Sequence, residues 1–542
     1  MPIRSELRAD PAGVFVHDLV LQACTRFADR TLLVDTSYTE PRRIRYGEYG
    51  ALVERAARGL VAAGLRPGER VAIYISNSWE YCVSYHAATL AGGIPTPLNP
   101  SYREREVRYQ LENSGAVILI TDGPLIADVN LAGLPDLRRI YATRDQAATG
   151  AEPFADLLHL HEVILPKAEQ SSDEATAALP YSSGTTGLPK GVMLTHHNLV
   201  ANIYQLLGPG AAPLLDGEIA LCFLPLYHIY GLNVVLNPSF TLGATLVLMA
   251  RFDASRAMQL MREYGVTFVP AVPPVLNAFC QAAEQGLFPC DHRVRWMKCG
   301  AAPLAQELGR RFISLTGIPV IQGYGMTEAS PVTHVGLAQG PAECVASIGL
   351  PAAQTECRII ADDSAECSEG ETGELVMRGP QFMRGYWRAP EASAEVLRPL
   401  PYGATASSPA VRSDDTWYWS GDVARRDERG LYYIVDRRKE MIKYKSFSVA
   451  PAEVESVLLE HPAVRDCGVV GRADPAAGEI PCAFIVLREG FTANPHIEMD
   501  IRGYVSERLT AYKQPREVRF VDAIPRNPSG KVLRRKLREA FE

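Results

Sequence analysis

A chain of 542 residues, 47% hydrophobic and 22% charged, is too long for one ordinary core and too apolar to stay unfolded, so two or more packed domains are expected. A formal net charge of −7, from 55 basic and 62 acidic side chains, excludes a polybasic nucleic-acid surface. The 11 cysteines form no C-x-x-C pair, which excludes the common zinc and redox motifs and fits reduced thiols in the cytoplasm.

Residues 1–20 are charged and carry no signal-peptide pattern, and no apolar run approaches the ~18 residues of a transmembrane helix. Residues 46–63 read as a helix, 70–76 (RVAIYIS) as a strand behind a turn at Pro67 and Gly68, and 116–121 (AVILIT) as another strand. Strands at 219–225, 244–249 and 266–272 continue the pattern, with a helix at 254–264. Buried β-branched strands separated by amphipathic helices imply α/β architecture. From about 349 to 378 short strands (357–360, 373–377) alternate with acidic, Gly-containing turns, which implies a β-rich subdomain. Residues 399–415 (PLPYGATASSPAVRSDD) read as an exposed, mobile loop. Beyond Asp436 come a charged stretch (437–445), a helix at 452–460, strands at 466–470 and 483–487, a helix near 496–509, a strand at 518–521 and a basic tail. That reads as a separate α+β domain. The expected division is a large N-terminal domain, 1–437, of α/β subdomains plus the β-rich subdomain, then a small C-terminal domain, 438–542.

Residues 181–195 read YSSGTTGLPKGVMLT. Gly184 and Gly187 let backbone N–H groups approach oxyanions closely. Ser182, Ser183, Thr185 and Thr186 add hydroxyl donors, and Lys190 adds charge. This suits a triphosphate or pyrophosphate. It is not the G-x-x-x-x-G-K-[ST] loop that opens a helix, because Pro189 precedes the lysine and 192–194 favour a strand. The segment resembles the signature of the adenylate-forming superfamily of acyl-CoA synthetases, carrier-protein adenylation domains and beetle luciferases. Among subfamilies the chain is most similar to fatty acyl-CoA and 4-coumarate-type CoA ligases.

Further matches follow in the family's order, and the roles below are what that resemblance implies. In 322–331 (QGYGMTEASP), Gly323 and Gly325 flank Tyr324 on a turn, with the tyrosine against adenine and Gln322 and Met326 beside it. Thr327 approaches phosphate, and Glu328, with Thr186, holds Mg²⁺, a hard cation suited to oxygen ligands. In 298–304 (KCGAAPL), Gly300, Ala301 and Ala302 line the adenine site and the acyl-pocket wall. In 419–422 (WSGD), Asp422 faces ribose, with Ser420 replacing the usual threonine; Arg437 is a second ribose-facing group and Ile434 completes the ATP set. In 225–232 (PLYHIYGL), His228 lies near the substrate carboxylate and the thiol tunnel, orienting substrate, gating the tunnel or assisting the thiol. Tyr230, Gly231, Gly300 and Gly325 border the acyl group. Ile229 stands where amino-acid-activating relatives carry aspartate, which argues against amino-acid substrates.

Lys531, in 526–531 (RNPSGK), bridges the carboxylate and the α-phosphate in the family. Lys439 matches a hinge about which a mobile C-terminal domain swings between two steps, bringing Lys443, Lys445 and Ser446 to the thiol side. The family's KYKGFQVAP is KYKSFSVAP here, so Ser446 replaces glycine and Ser448 replaces glutamine. Two readings stay open: the change is tolerated, or thioester formation is slowed.

The expected catalytic set is Lys531, His228, Glu328 and Thr186. The expected reaction is ATP- and Mg²⁺-dependent conversion of a carboxylic acid to acyl-AMP, then transfer to coenzyme A, giving acyl-CoA, AMP and pyrophosphate. A medium- to long-chain fatty acid is the first expectation, because an apolar acid needs no charged anchor and small pocket-wall residues leave room. The alternatives are an aryl, cinnamate- or benzoate-like acid, or loading of a carrier protein. Partners are therefore small molecules, with no nucleic acid and no transmembrane segment. The oligomeric state is open between monomer and homodimer.

Overall fold

The computed structural model describes residues 12–144, 150–167, 170–182, 188–207, 217–337, 342–401, 416–445, 447–475, 477–526 and 530–541. The expected α/β architecture is observed. A nine-stranded sheet has Ile219–Cys222, Thr245–Leu248, Phe268–Ala271, Trp296–Cys299 and Val320–Gly325 at its parallel centre. A second sheet of five parallel strands is built on Arg70–Tyr74 and Ala116–Thr121. These strands are apolar runs because helices cover both faces.

The helix Tyr46–Ala62 buries Tyr46, Tyr49, Val53, Ala56, Ala57 and Leu60, which recur at three- and four-residue steps along one face. The helix Trp79–Leu90 is buried on every side except at Leu90, so it shows no amphipathic stripe. Its N-terminus is capped by Ser78, whose hydroxyl accepts the Tyr81 N–H. One core cluster holds residues of both sheets together with these helices, so the two sheets pack as a single body around the site.

Glu356–Ile360, Thr372–Arg378, Trp417–Arg426 and Tyr432–Arg437 form the antiparallel β-rich subdomain. From Ile442 a new sheet begins: Ile442–Tyr444, Phe447–Val449, Val464–Asp474, Gly478–Leu487 and Glu517–Phe520. It has its own core of Ile442, Val454, Leu458, Ile485 and Ile501, packed under the helices Pro451–Glu460 and Pro495–Arg508.

Two local expectations change, and a third lies outside the described residues. Gly323 and Gly325 lie within the strand Val320–Gly325, not on a turn, and pair with Val335 and Val332. The reason is close approach: a Cβ on Gly325 would sit 2.0 Å from the Pro331 carbonyl oxygen. The turn comes later, at the short 3₁₀ segment Thr327–Ala329. The basic tail folds as the helix Arg534–Arg538, because Arg534 is drawn inward to Glu455 at 2.8 Å. Residues 402–415, most of the loop expected to be exposed and mobile, lie outside the described residues.

Candidate active site

The phosphate-loop sequence leads into the strand Lys190–Thr195, as Val192–Leu194 implied. Lys190 pairs in register with Ser182, which fixes both ends of the loop. Ser183, Gly184, Thr185, Thr186 and Gly187 lie outside the described residues. Gly191 is closely packed: a Cβ there would meet the side chains of Leu179, Trp387 and Tyr181 at 3.2 Å. The Lys190 ammonium lies 5.3 Å from the centroid of the Tyr386 ring.

The strand Val320–Gly325 and the strand Trp417–Arg426 bring Tyr324 and Asp422 together, though they are 98 residues apart in sequence. The Tyr324 hydroxyl donates to Asp422 Oδ2 at 2.5 Å, and Arg437 Nε stands 3.1 Å from Asp422 Oδ1. The Asp422 charge beside it raises the Arg437 pKa above its ordinary value. The Ser420 hydroxyl borders this cluster: it donates to the Leu375 carbonyl at 2.6 Å and accepts the Asp422 N–H at 3.0 Å. It braces the turn at Gly421, whose φ of +69° suits glycine. Ile434 pairs in register with Ala424 and stays half-buried. Gln322 is buried with its side-chain carbonyl oxygen unpartnered among the described residues, while Met326 and Thr327 are half-buried beside it. Gly300, held by the Ala271 carbonyl at 3.2 Å, leads to an exposed Ala301 at φ +66° and a half-buried Ala302.

Glu328 is buried, and one carboxylate oxygen accepts the Tyr386 hydroxyl at 2.8 Å. Its backbone carbonyl accepts the Met383 N–H at 2.7 Å. Among the described residues the other carboxylate oxygen takes no hydrogen bond. No group of three or more His, Cys, Asp or Glu side chains is assembled to hold a metal among the described residues. That donor set fits Mg²⁺, which is held by one or two carboxylates plus substrate phosphates, and does not fit an all-protein cage. The neighbouring Ser330 carbonyl accepts Asn233 Nδ2 at 2.6 Å. Asn233 is the last member of a buried ladder in which Tyr49 meets His86 at 2.7 Å, His86 meets Asn237 at 3.1 Å, and Asn237 donates to Asn233 at 2.8 Å.

His228 opens the turn into a π-helical segment, Gly231–Leu236. Its Nδ1 accepts the Tyr230 N–H at 3.2 Å, so the proton of the neutral ring sits on Nε2. Burial pushes its pKa down to about 4. Gly231 is required by contact, since a Cβ would lie 2.4 Å from the Pro225 carbonyl. The Tyr230 hydroxyl donates to the Lys298 carbonyl at 2.8 Å, and the edge of its ring would lie 3.5 Å from a Cβ on Gly300. Lys298 itself is 5% exposed, and burial lowers its pKa to about 8.

From the C-terminal unit, Lys531 is brought to this cluster. Burial, and then the Arg437 charge, lower its pKa to about 8, while Asp422 acts in the opposite direction. The loop arrives by direct contact: a Cβ on Gly530 would lie 3.0 Å from Pro274. Residues 527–529 lie outside the described residues. Asp436 ties the two units together. It accepts the Ala452 N–H at 2.9 Å and lies 4.0 Å from Arg534. Lys439 is exposed on the turn between them, with Arg438 paired to Glu374 and Asp362 on one side and Glu440 to Arg538 on the other. Lys443 and Lys445 are exposed, and their backbone N–H groups donate within their own unit, to Glu479 and Ala477. Ser446 and the Ser448 side chain lie outside the described residues.

Sequence reading missed Tyr386 and Asn233 and left the Lys298 side chain without a role. No motif spacing links Tyr386 to Glu328, which is 58 residues away. A lysine inside the apolar strand WMKC was the one available signal.

A family profile described as "AMP-binding enzyme" matches residues 20–387, and one described as "AMP-binding enzyme C-terminal domain" matches 453–531. The chain is similar to 4-coumarate-CoA ligase 1 of Narcissus pseudonarcissus, with 36% identity over 538 residues covering 97% of this chain and 94% of that protein. It is similar to 4-coumarate–CoA ligase 5 of Oryza sativa subsp. japonica at 35% identity, covering 98% and 95%. Among solved structures it resembles a benzoate CoA ligase from Burkholderia xenovorans LB400, with TM-score 0.84, 25% identity, and 97% and 100% coverage. It also resembles ATP-bound MatB from Rhodopseudomonas palustris, with TM-score 0.84, 27% identity, and 97% and 99% coverage. No helix among the described residues is long and apolar enough to cross a membrane. These likenesses run along nearly the whole chain, and so does the set of residues gathered around Asp422 and Glu328: the protein belongs to the AMP-binding, adenylate-forming enzyme family and is an AMP-forming acid–thiol ligase.

Proposed function

We propose that the protein converts an aryl carboxylic acid of the cinnamate or benzoate type to its adenylate and passes the aryl group to coenzyme A. The end-to-end likeness to 4-coumarate–CoA ligases carries this reading, and it displaces the fatty acid expected first from sequence. Lys298 supports it. The lysine is buried, its Cε would lie 3.3 Å from a Cβ on Gly323, and the Tyr230 ring would lie 3.5 Å from a Cβ on Gly300; on this reading these groups line the acyl slot. A phenolic or other polar far end gives the lysine amine a partner. An alkyl chain would leave it buried beside hydrocarbon, at a cost of several kcal/mol.

The first step needs no enzyme nucleophile. The acid's carboxylate oxygen bonds to the α-phosphorus of ATP as the bond to pyrophosphate breaks. Alignment and neutralised charge supply the rate. Tyr324 packs on adenine, Asp422 and Arg437 hold the ribose, and Ser182, Lys190 and the loop from Ser183 to Gly187 hold the phosphates. Lys531, charged below about pH 8, spans the carboxylate and the α-phosphate. Glu328 and Thr186 would hold Mg²⁺, which when bound offsets phosphate charge. In the second step the thiol sulfur of coenzyme A bonds to the acyl carbon and AMP leaves. The low pKa of His228 supports an orienting or gating role over proton abstraction. We take 1–437 and 438–542 as the working domains, pivoting at Lys439, with Lys443, Lys445 and Ser446 serving the thiol side.

The test is pyrophosphate release with hydroxycinnamic, benzoic and fatty acids, each with and without coenzyme A. Aromatic acids should show the higher kcat/KM. Faster turnover of medium- or long-chain fatty acids would overturn the aryl assignment, and dependence on a carrier protein in place of coenzyme A would overturn the acceptor.

A further inference from the structure

Tyr386 lies outside every segment that the family resemblance singled out, yet two groups of the phosphate end converge on it. Its hydroxyl donates to Glu328 Oε1 at 2.8 Å, and its ring faces the Lys190 ammonium at 5.3 Å from the centroid. The tyrosine is 8% exposed. Its backbone is part of the same device. The two-residue strand Gly385–Tyr386 pairs antiparallel with the strand behind the phosphate loop, Tyr386 opposite Val192 and Gly385 opposite Met193. Arg384 and Trp387 N–H groups extend that pairing to the carbonyls of Met193 at 3.0 Å and Gly191 at 2.7 Å. Three residues before Tyr386, the Met383 N–H holds the Glu328 carbonyl at 2.7 Å. The Ser393 hydroxyl accepts the Tyr386 N–H at 2.8 Å and fixes the segment from behind.

We propose that Tyr386 is a positioning residue for adenylation, one side chain that sets the spacing between the phosphate-loop lysine and the metal-facing carboxylate. The hydroxyl fixes the Glu328 rotamer by holding one oxygen, so that the other is presented to the phosphate side. A charged acceptor makes this bond stronger than a neutral one. The ring face gives the Lys190 ammonium a partner that does not neutralise it, so the lysine keeps its charge for phosphate while its four-carbon stem is held in place. A carboxylate on the lysine would have competed with the nucleotide. The two contacts use different parts of one side chain, and substitution can separate them.

The inference rests on the adenylation reading. Three forms are compared, the parent, Tyr386→Phe and Tyr386→Leu, with thermal melting used to confirm that each is folded. ATP binding is measured by isothermal titration, first with EDTA and then across a magnesium series, and pyrophosphate release is followed separately. Tyr386→Phe keeps the ring and loses the hydroxyl. It should bind ATP like the parent without metal but need roughly tenfold more Mg²⁺ for half-maximal enhancement of binding, the size expected for losing a hydrogen bond to a charged group. Tyr386→Leu should show that shift and also bind metal-free ATP about fivefold more weakly, the size expected for losing a cation–π contact. If Phe matches the parent in the magnesium series, or if Phe and Leu weaken metal-free binding equally, the proposal is wrong. Failure of the parent itself to release pyrophosphate with any acid would instead overturn the adenylation reading and leave the Tyr386 binding result to be judged alone.

Discussion

The hydroxyl of Tyr324 and the carboxylate of Asp422 are joined at 2.5 Å, so the aromatic and the acid form one unit, closed on its other flank by Arg437 at 3.1 Å. Tyr324 therefore holds Asp422 in place, and on the proposed reading it also offers a ring face to the base. Tyr324→Phe keeps the ring and loses that hold. We expect KM for ATP to rise about tenfold, from loss of ~1.5 kcal/mol in a bond to a charged group, with a smaller change in kcat. Steady-state kinetics with ATP varied checks this; an unchanged KM would mean that the bond gives way to ribose on binding.

Lys531 sets a pH limit. Its ordinary value near 10.5 falls to about 8 because burial, then Arg437, disfavours the charged form. The amine is charged below that value and neutral above it, so kcat/KM for ATP in the adenylation step should fall as pH rises through about 8. In Lys531→Arg the falling limb should move beyond the accessible range, because guanidinium stays charged. Lys531→Ala should lose about 100- to 1000-fold in adenylation while thioester formation from supplied adenylate is largely spared. Pyrophosphate-release profiles of the three forms decide it.

On the proposed reading, Lys298 sets a preference among acids. Lys298→Met replaces a buried amine with an apolar chain of similar length, which removes the desolvation of a charge and should raise the melting temperature. The variant should lose selectivity for phenolic over unsubstituted aromatic acids by about tenfold or more, because the site no longer has a group left unpaired by the poorer substrate. Ratios of kcat/KM for the two acids, measured in both forms, are the check.

On the proposed reading, Lys439 separates the two half-reactions. Proline there fixes the backbone of the turn between the sheet ending at Arg437 and the one starting at Ile442. Lys439→Pro should retain adenylation and fail to form thioester from supplied adenylate. Normal rates in both steps would remove Lys439 as the pivot.

The fold was legible where periodicity was strong. The helix Tyr46–Ala62 and the strands around Arg70–Tyr74 and Ala116–Thr121 show their buried faces in sequence. Legibility failed where spacing depends on another segment. Gly323 and Gly325 look like turn residues, but both lie in a strand, and at Gly325 the Pro331 carbonyl oxygen passes 2.0 Å from where a Cβ would be. The residues proposed for the ATP side fall in short runs, Tyr324 and Glu328 in one, Ser420 and Asp422 in another, and the structure brings Tyr324 and Asp422 together. Tyr386, Asn233 and the Lys298 side chain were not legible, because what gives each a role is a contact across 58 residues, 97 residues or a buried wall, and no local pattern encodes that. The acid's identity was read as fatty first because small wall residues suggest space, while on the proposed reading the chemistry of the wall depends on Lys298, one lysine inside an apolar strand.

The central claim is tested most directly by incubating the enzyme with 4-coumarate, ATP and Mg²⁺, first without and then with coenzyme A, and weighing the products by mass spectrometry. The account predicts coumaroyl-AMP and pyrophosphate in the first tube, and coumaroyl-CoA with AMP in the second. Formation of ADP and phosphate, or of no adenylate in either tube, would contradict it.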